Sequence, residues 1–230
     1  MTRRGRLFAA LSASLFLFGA SACGQQAVAS EDTASAPAAQ LSSNETPDLK
    51  KAVFAGGCFW GVEGVFSHVK GVTSAVSGYH GGAQSDAGYR TVSAGGTGHA
   101  EAVRITYDPA VVRYDQLLRI FFSVVADPTL KNRQGPDVGT QYRAALVPLG
   151  AEQQKVAAAY LAQMRKSGVW DKPIVTGIER YSGFYPAEAY HQDFIAKNPD
   201  HAYIRRWDAP KVRALSRLYP DLYRKAFKRG

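Results

Sequence analysis

The sequence predicts a two-layer α/β sandwich, in which helices pack on a mixed sheet with a ferredoxin-like plait core, as a single domain. Strand patterns and helix patterns alternate along the chain in the order β-α-β, β-α, β-α-β, which is typical of helices packed on one sheet. The chain has 230 residues, of which 46% are hydrophobic, so it can bury one core without disulfide bonds. No internal repeat and no glycine-rich nucleotide-binding motif interrupts this order.

Each predicted element depends on its hydrophobic period. Residues 51–55 form an apolar run that ends in two glycines, and helical spacing follows at 58–69. Residues 102–107 alternate between apolar and polar side chains, as a half-buried strand does. The predicted strands are 51–55, 72–79, 102–107, 143–149 and 174–179, and the predicted helices are 58–69, 114–125, 151–166, 187–197 and 211–219.

The first 22 residues predict a secretory signal peptide. Arg3, Arg4 and Arg6 precede an apolar stretch over 7–20, and small residues follow. The stretch is too short to span a membrane, and it has no polar face that would suit a buried helix. We therefore expect an exported protein of the bacterial periplasm or cell envelope.

The cleavage site leaves two alternatives for Cys23. Cleavage after 20–22 makes Cys23 the first residue, where a lipid anchor can be attached as in a bacterial lipoprotein, and we favour this form. Cleavage after 27–29 removes Cys23. Residues 23–48 are rich in Ala, Ser, Gln, Thr and Pro without hydrophobic period, so they predict a flexible linker. The remaining segments are the main folded domain over 49–207 and a basic helical tail over 208–230.

The charge distribution argues against nucleic acid as a partner. The net charge is +9, but residues 205–230 carry nine Lys/Arg and two Asp/Glu, and three more arginines lie in the predicted signal peptide. The body between them is nearly neutral. The tail is predicted to be a solvated helix face, with binding of anionic lipid or nucleic acid as the lesser alternative. We expect a monomer.

The string 56–61, Gly-Gly-Cys-Phe-Trp-Gly, contains a candidate nucleophile. The two glycines permit a tight turn before Cys58, and a helix N-terminus favours the thiolate over the thiol. Phe59 and Trp60 place aromatic surface beside the sulfur. An inert core cysteine is the alternative, but exported proteins rarely keep a free thiol without a use.

The string 56–63 resembles the signature of the A-type peptide methionine sulfoxide reductases. Other strings are similar to those of this family and occur in the same order between residues 53 and 203. They are 97–101, 107–109, 127–129, 132–135, 139–143, 187–192 and 197–199. Chance agreement over this many strings is not a serious alternative.

The resemblance implies that the Cys58 thiolate attacks the sulfur of a methionine (S)-sulfoxide and that Glu101 protonates its oxygen. It also implies that Phe59 and Trp60 hold the S-methyl group. Without the resemblance, the two aromatic residues would suit ordinary core packing and Glu101 an exposed strand end. The resemblance also implies that the phenols of Tyr89 and Tyr142 bind the oxygen. It implies that the Asp137 carboxylate organises the site and that the His191 imidazole supports it.

Many family members carry further cysteines near the C-terminus that attack the sulfenic acid, and this chain has none after 197–199. The resemblance therefore implies a one-cysteine enzyme. An external thioredoxin-like or small-thiol donor reduces the Cys58 sulfenic acid, without a disulfide to Cys23 and without another cofactor. The histidines lack metal-ligand spacing, so no metal is expected. His80 stands where the family usually has a small residue, and its effect on the pocket is left open.

Two other functions stay open as alternatives. A thiol peroxidase would use the same cysteine, but it needs a site shaped for a hydroperoxide. A non-catalytic envelope binding module would keep the cysteine only as a buried residue.

Overall fold

In a computed structural model of the chain, the described residues are Met1 and 34–230. Apart from Met1, the predicted signal peptide lies outside this range, as do Cys23 and both cleavage sites. The strands are β1 (Lys50–Gly56), β2 (Val72–His80), β3 (Ala100–Tyr107), β4 (Arg133–Gln134), β5 (Asp137–Val138), β6 (Ala144–Val147), β7 (Gly177–Ile178) and β8 (Phe184–Pro186). The helices are α1 (Phe59–Ser67), α2 (Tyr89–Ser93), α3 (Tyr114–Ile120), α4 (Ala151–Lys166), α5 (Phe194–Lys197) and α6 (Ala209–Leu218).

Six strands form one mixed sheet in the order β7-β6-β1-β3-β2-β8. The four central strands are antiparallel neighbours. Helix α1 connects β1 to β2, and α3 lies between β3 and β6 along the chain. This is the β-α-β-β-α-β connectivity of a ferredoxin-like plait, and the predicted two-layer α/β sandwich is confirmed. The sheet is mixed because β7 pairs with β6 in parallel.

Strand β1 lies at the centre of the sheet because its side chains are apolar on both faces. Ala52 and Phe54 belong to the main core, where Phe54 stacks on Phe66 of α1 with 5.0 Å between the ring centroids. Val53 and Ala55 belong to a second cluster, since successive side chains of a strand point to opposite faces. A strand buried on both faces reads as a continuous apolar run, and this run positions the turn that follows it.

Three predicted elements differ in extent. The predicted strand 174–179 is reduced to β7, and the predicted helix 114–125 continues after α3 as a π-helical turn over Phe121–Val125. The predicted helix 187–197 is helical only in α5. Before α5, the side-chain amide of Gln192 donates to the carbonyls of Ser77 and Ala187, both at 2.9 Å. These contacts hold the segment in a non-helical path.

Residues 34–48 do not form a flexible linker, contrary to the prediction. The Tyr160 hydroxyl donates to the Pro37 carbonyl at 2.8 Å. The Glu45 carboxylate accepts the backbone N–H of Tyr114 at 3.0 Å, at the start of α3. Hydrogen bonds hold this segment on the domain. Docking of this kind needs no periodic apolar residues, so the sequence pattern gave no sign of it.

The basic tail is helical in α6 and continues without helix to Gly230. The Arg224 guanidinium donates to the Val72 carbonyl at 2.7 Å, so the tail packs on the body of the domain. Within residues 34–230, none of the helices is both long and apolar enough to span a membrane.

Candidate active site

Cys58 lies between β1 and α1, as the N-cap residue of the helix. Gly57 has a φ of +88°, and a Cβ atom on it would lie 2.5 Å from the Cβ of Gln134. A Cβ atom on Gly56 would lie 2.8 Å from the Val125 side chain. Both glycines are therefore needed for the turn that places Cys58 at the N-terminal end of α1.

A cavity of about 170 Å³ lies at Cys58. Cys58 is partly exposed as a residue and lies in the cavity wall. The lining residues come from α1 and the turn before it, from α2 and β3, from the loop over 126–143 that precedes β6 (the central loop), and from the segment before α6. They are Cys58, Phe59, Trp60, Tyr89, Glu101, Asp137, Tyr142 and Tyr203. The structure thus brings together seven of the eight residues implied by the resemblance, and it adds Tyr203.

Glu101, on β3, is the buried carboxyl group of the cavity. Its side chain is 2% exposed, and Oε2 accepts the N–H of Phe59 at 2.9 Å. Burial, together with the carboxylates of Asp137 and Asp208, raises the pKa of Glu101 to about 8, although the Phe59 N–H acts in the opposite direction. Glu101 therefore keeps its proton at neutral pH and is able to donate it.

The surroundings of Cys58 disfavour its thiolate. Burial raises the pKa of Cys58, negative charge on Asp208, and on Glu101 when it is ionised, raises it further, and the Trp60 N–H lowers it. The helix N-terminus favours the thiolate through the Trp60 N–H, as expected, but this effect does not set the net direction of the shift. The first N–H of α1, that of Phe59, is donated to Glu101, and desolvation outweighs the remaining favourable contact. A protonated Glu101 removes its own repulsion of a developing thiolate.

Two phenols line the same cavity. Tyr89 is the first residue of α2, and the Glu188 carboxylate accepts its backbone N–H at 2.9 Å. Tyr142 lies in a 3₁₀ turn over Thr140–Tyr142. Burial raises the pKa of both Tyr89 and Tyr142. Both hydroxyl groups therefore keep their protons and can donate hydrogen bonds to an oxygen atom in the cavity.

Comparison with known proteins identifies the family. The sequence profile of the family described as "Peptide methionine sulfoxide reductase" matches residues 50–220. The chain belongs to this family. A peptide methionine sulfoxide reductase MsrA 2 from Mesorhizobium japonicum is 54% identical over 183 residues, which cover 80% of this chain and 94% of the relative. One of the same name from Synechocystis sp. is 51% identical over 172 residues, covering 75% and 80% of the two chains.

Solved structures of the peptide methionine sulfoxide reductase family have the same fold. Mxr1 from Saccharomyces cerevisiae in reduced form is similar with a TM-score of 0.59 and 32% identity, over 70% of this chain and 92% of Mxr1. Methionine sulfoxide reductase A of Corynebacterium diphtheriae is similar with a TM-score of 0.56 and 31% identity, over 67% and 77% of the two chains.

In this member of the peptide methionine sulfoxide reductase family, Tyr203 is the site residue that sequence reasoning missed. Its hydroxyl donates a hydrogen bond to Asp137. Burial raises the pKa of Asp137, while this hydrogen bond and the positive charge of Lys211 lower it. Tyr203 follows the string 197–199, so its position near a family motif was the available signal.

His191 lies behind the cavity wall instead of in it. Its Nδ1 accepts the indole N–H of Trp60 at 3.1 Å, and its ring lies 5.0 Å from the Phe59 ring. Burial lowers the pKa of His191, which favours the neutral ring that this acceptor role requires. His191 therefore supports the two aromatic residues of the cavity.

His80 does not line the cavity. It is buried at the end of β2, and its Nδ1 lies 2.8 Å from the Gly183 carbonyl oxygen. His80 therefore contacts the segment that leads into β8, at the edge of the sheet. Among the described residues, no group of three or more His, Cys, Asp or Glu side chains could hold a metal ion.

Proposed function

We propose that this protein repairs oxidised proteins and peptides by reducing methionine (S)-sulfoxide, and free methionine sulfoxide, to methionine. The observation that carries the proposal is one small cavity lined by the Cys58 thiol, a protonated Glu101 and the aromatic surface of Phe59 and Trp60. Membership of the family supports the substrate class and the S configuration.

The reaction requires one group that gives electrons and one that gives a proton. The Cys58 sulfur attacks the sulfoxide sulfur while Glu101 protonates the oxygen, with hydrogen bonds from Tyr89 and Tyr142. The hydroxyl group then passes from the substrate sulfur to the Cys58 sulfur: the substrate sulfur–oxygen bond and the new sulfur–sulfur bond break, a Cys58 sulfur–oxygen bond forms, and methionine leaves. Cys58 is then a sulfenic acid. The thiol proton returns to Glu101. Cys58 is oxidised by two electrons, and the substrate sulfur is reduced by two.

An external thiol completes the cycle. The sequence contains only Cys23 and Cys58, and the first lies in the predicted signal and linker region. Two thiol groups of a thioredoxin-like protein or a small-thiol donor convert the sulfenic acid to the thiol, giving a disulfide in the donor and water. The cavity residues supply the rest of the chemistry without a bound cofactor.

The test is reduction of a defined peptide that contains one methionine (S)-sulfoxide, with dithiothreitol as the donor. Cys58→Ser should abolish turnover, and Glu101→Gln should lower it about 100-fold or more, because general acid catalysis contributes at least that much. Cys23→Ser is the matched cysteine control and should retain the wild-type rate.

The alternatives predict different outcomes in the same assay. A thiol peroxidase would turn over hydrogen peroxide faster than the sulfoxide peptide and would lose that activity in Cys58→Ser. A binding module would turn over neither substrate. An oxidised protein with a Cys23–Cys58 disulfide would contradict the external-donor step alone.

We also propose that the protein is exported to the bacterial periplasm or cell envelope as a monomer, with a lipid anchor on Cys23. The basic start, the apolar stretch over 7–20 and the small residues at 20–22 support this proposal. Mass spectrometry of the mature protein from a bacterial host tests it. A lipid-modified Cys23 is expected, and an unmodified start at Ser30 would rule out the anchor.

A further inference from the structure

The indole of Trp60 is held on its face, at its edges and at its nitrogen. The ring of Phe194 stacks on it in parallel, with 3.7 Å between the ring centroids and an interplanar angle of 4°. The rings of His201 and Tyr203 meet it edge-on at 6.0 and 5.9 Å. Its N–H donates to His191 at 3.1 Å. These contacts leave the indole one orientation.

The segment that carries His191 and Phe194 is anchored to the helix that carries Trp60. Glu63 lies three residues after Trp60 on α1 and is 1% exposed. Both of its carboxylate oxygens accept the N–H of Asp193, each at 3.1 Å. These hydrogen bonds tie the segment to α1 in a buried part of the fold. The segment is therefore fixed to α1, and its side chains keep a constant position relative to Trp60.

We propose that Phe194 and His191 are positioning residues that fix the Trp60 indole and thereby make the enzyme select S-methyl over larger S-alkyl sulfoxides. The inference rests on the proposed reductase function. Trp60 forms a wall of the 170 Å³ cavity, whereas Phe194 and His191 lie outside its lining. They act on substrate only through Trp60. A hydrophobic pocket discriminates against one extra methylene group only if its walls are rigid. The two substrates then differ by about 10- to 200-fold in kcat/KM.

The experiment measures kcat/KM for two peptides that differ only in an S-methyl or an S-ethyl sulfoxide. The wild type should prefer S-methyl by about 10-fold or more. In Phe194→Leu and Phe194→Ala the ratio should fall towards one, because the indole can tilt away from the cavity. The ratio does not depend on the fraction of folded enzyme. Phe227→Leu is the matched control, since Phe227 packs on His68 with 5.4 Å between the ring centroids, and it should keep the wild-type ratio.

The outcomes separate this inference from the proposed function. A wild type that does not reduce the S-methyl peptide would overturn the reductase function, and this inference with it. A wild type that reduces both peptides equally, or a Phe194→Leu variant with the wild-type ratio, would overturn the inference alone. If Phe194→Ala does not fold, the kcat/KM ratio of Phe194→Leu is the test, because leucine keeps an apolar side chain but has no aromatic ring to stack on the indole. His191→Phe, which removes the acceptor for the indole N–H, should lower the ratio in the same direction.

Discussion

Replacing Glu101 with Gln should stabilise the fold at alkaline pH. The pKa of Glu101 is about 8 in the folded protein and 4.5 for an unperturbed side chain. Because the folded pKa is the higher one, the proton on Glu101 favours the folded state. This contribution is complete below pH 4.5 and is lost as the pH rises through about 8. At about 1.4 kcal/mol per pH unit, Glu101 lowers the free energy of unfolding by about 4 kcal/mol between pH 5 and pH 8.5.

Urea unfolding of the wild type and Glu101→Gln at pH 5 and pH 8.5 measures this contribution. The difference in free energy of unfolding between the two proteins should grow by about 4 kcal/mol towards pH 8.5. Other titrating groups are common to both proteins and cancel in the difference. Asp171→Asn, which removes an exposed carboxylate, is the control substitution. A difference for Glu101→Gln that is the same at pH 5 and pH 8.5 would refute the buried, protonated acid.

Three further predictions follow from the site and the docked N-terminal segment. In single turnover without donor, the rate of methionine formation should fall as the pH rises past about 8, because Glu101 loses its proton; a rate that keeps rising to pH 10 would contradict this. Tyr203→Phe should lower kcat roughly 10-fold, because its hydrogen bond to Asp137 is lost. In the Asp137→Asn background it should cause no further loss of kcat; two losses that multiply would mean that the residues act independently. Deletion of residues 34–44 should lower Tm by roughly 5 °C with unchanged kcat/KM, as thermal unfolding and the peptide assay can measure; an unchanged Tm would mean that the docked segment contributes no stability.

The central strands and the site could be predicted because their signals are local or repeated along the chain. The apolar run of β1 and its two glycines predict the turn before Cys58. Phe59 and Glu101 are 42 residues apart, yet the antiparallel pairing of β1 with β3, with Phe54 opposite Val103, brings them together. The pairing of β1 with β3 was not predicted from hydrophobic period, and the place of Glu101 beside the nucleophile was implied only by the family resemblance.

The parts that sequence reasoning missed depend on contacts between distant segments. The pKa of Cys58 follows from burial and from carboxylates on other elements, which no pattern around 56–61 contains. Tyr203 becomes a site residue only because the chain before α6 returns to the central loop. Residues 34–48 dock through hydrogen bonds to α3 and α4, and their composition is that of an unstructured linker. In each case the decisive partner is remote in sequence.

The docked segment also limits how far an anchored enzyme can reach. With residues 34–48 bound to the domain, ten residues of the sequence, 24–33, separate Cys23 from the docked segment. Ten residues can span at most about 40 Å, whereas a free chain as far as residue 48 could span about 90 Å. An enzyme with the proposed anchor on Cys23 would therefore reduce oxidised methionines only close to the lipid surface. Substrate proteins farther from the membrane would have to diffuse to it.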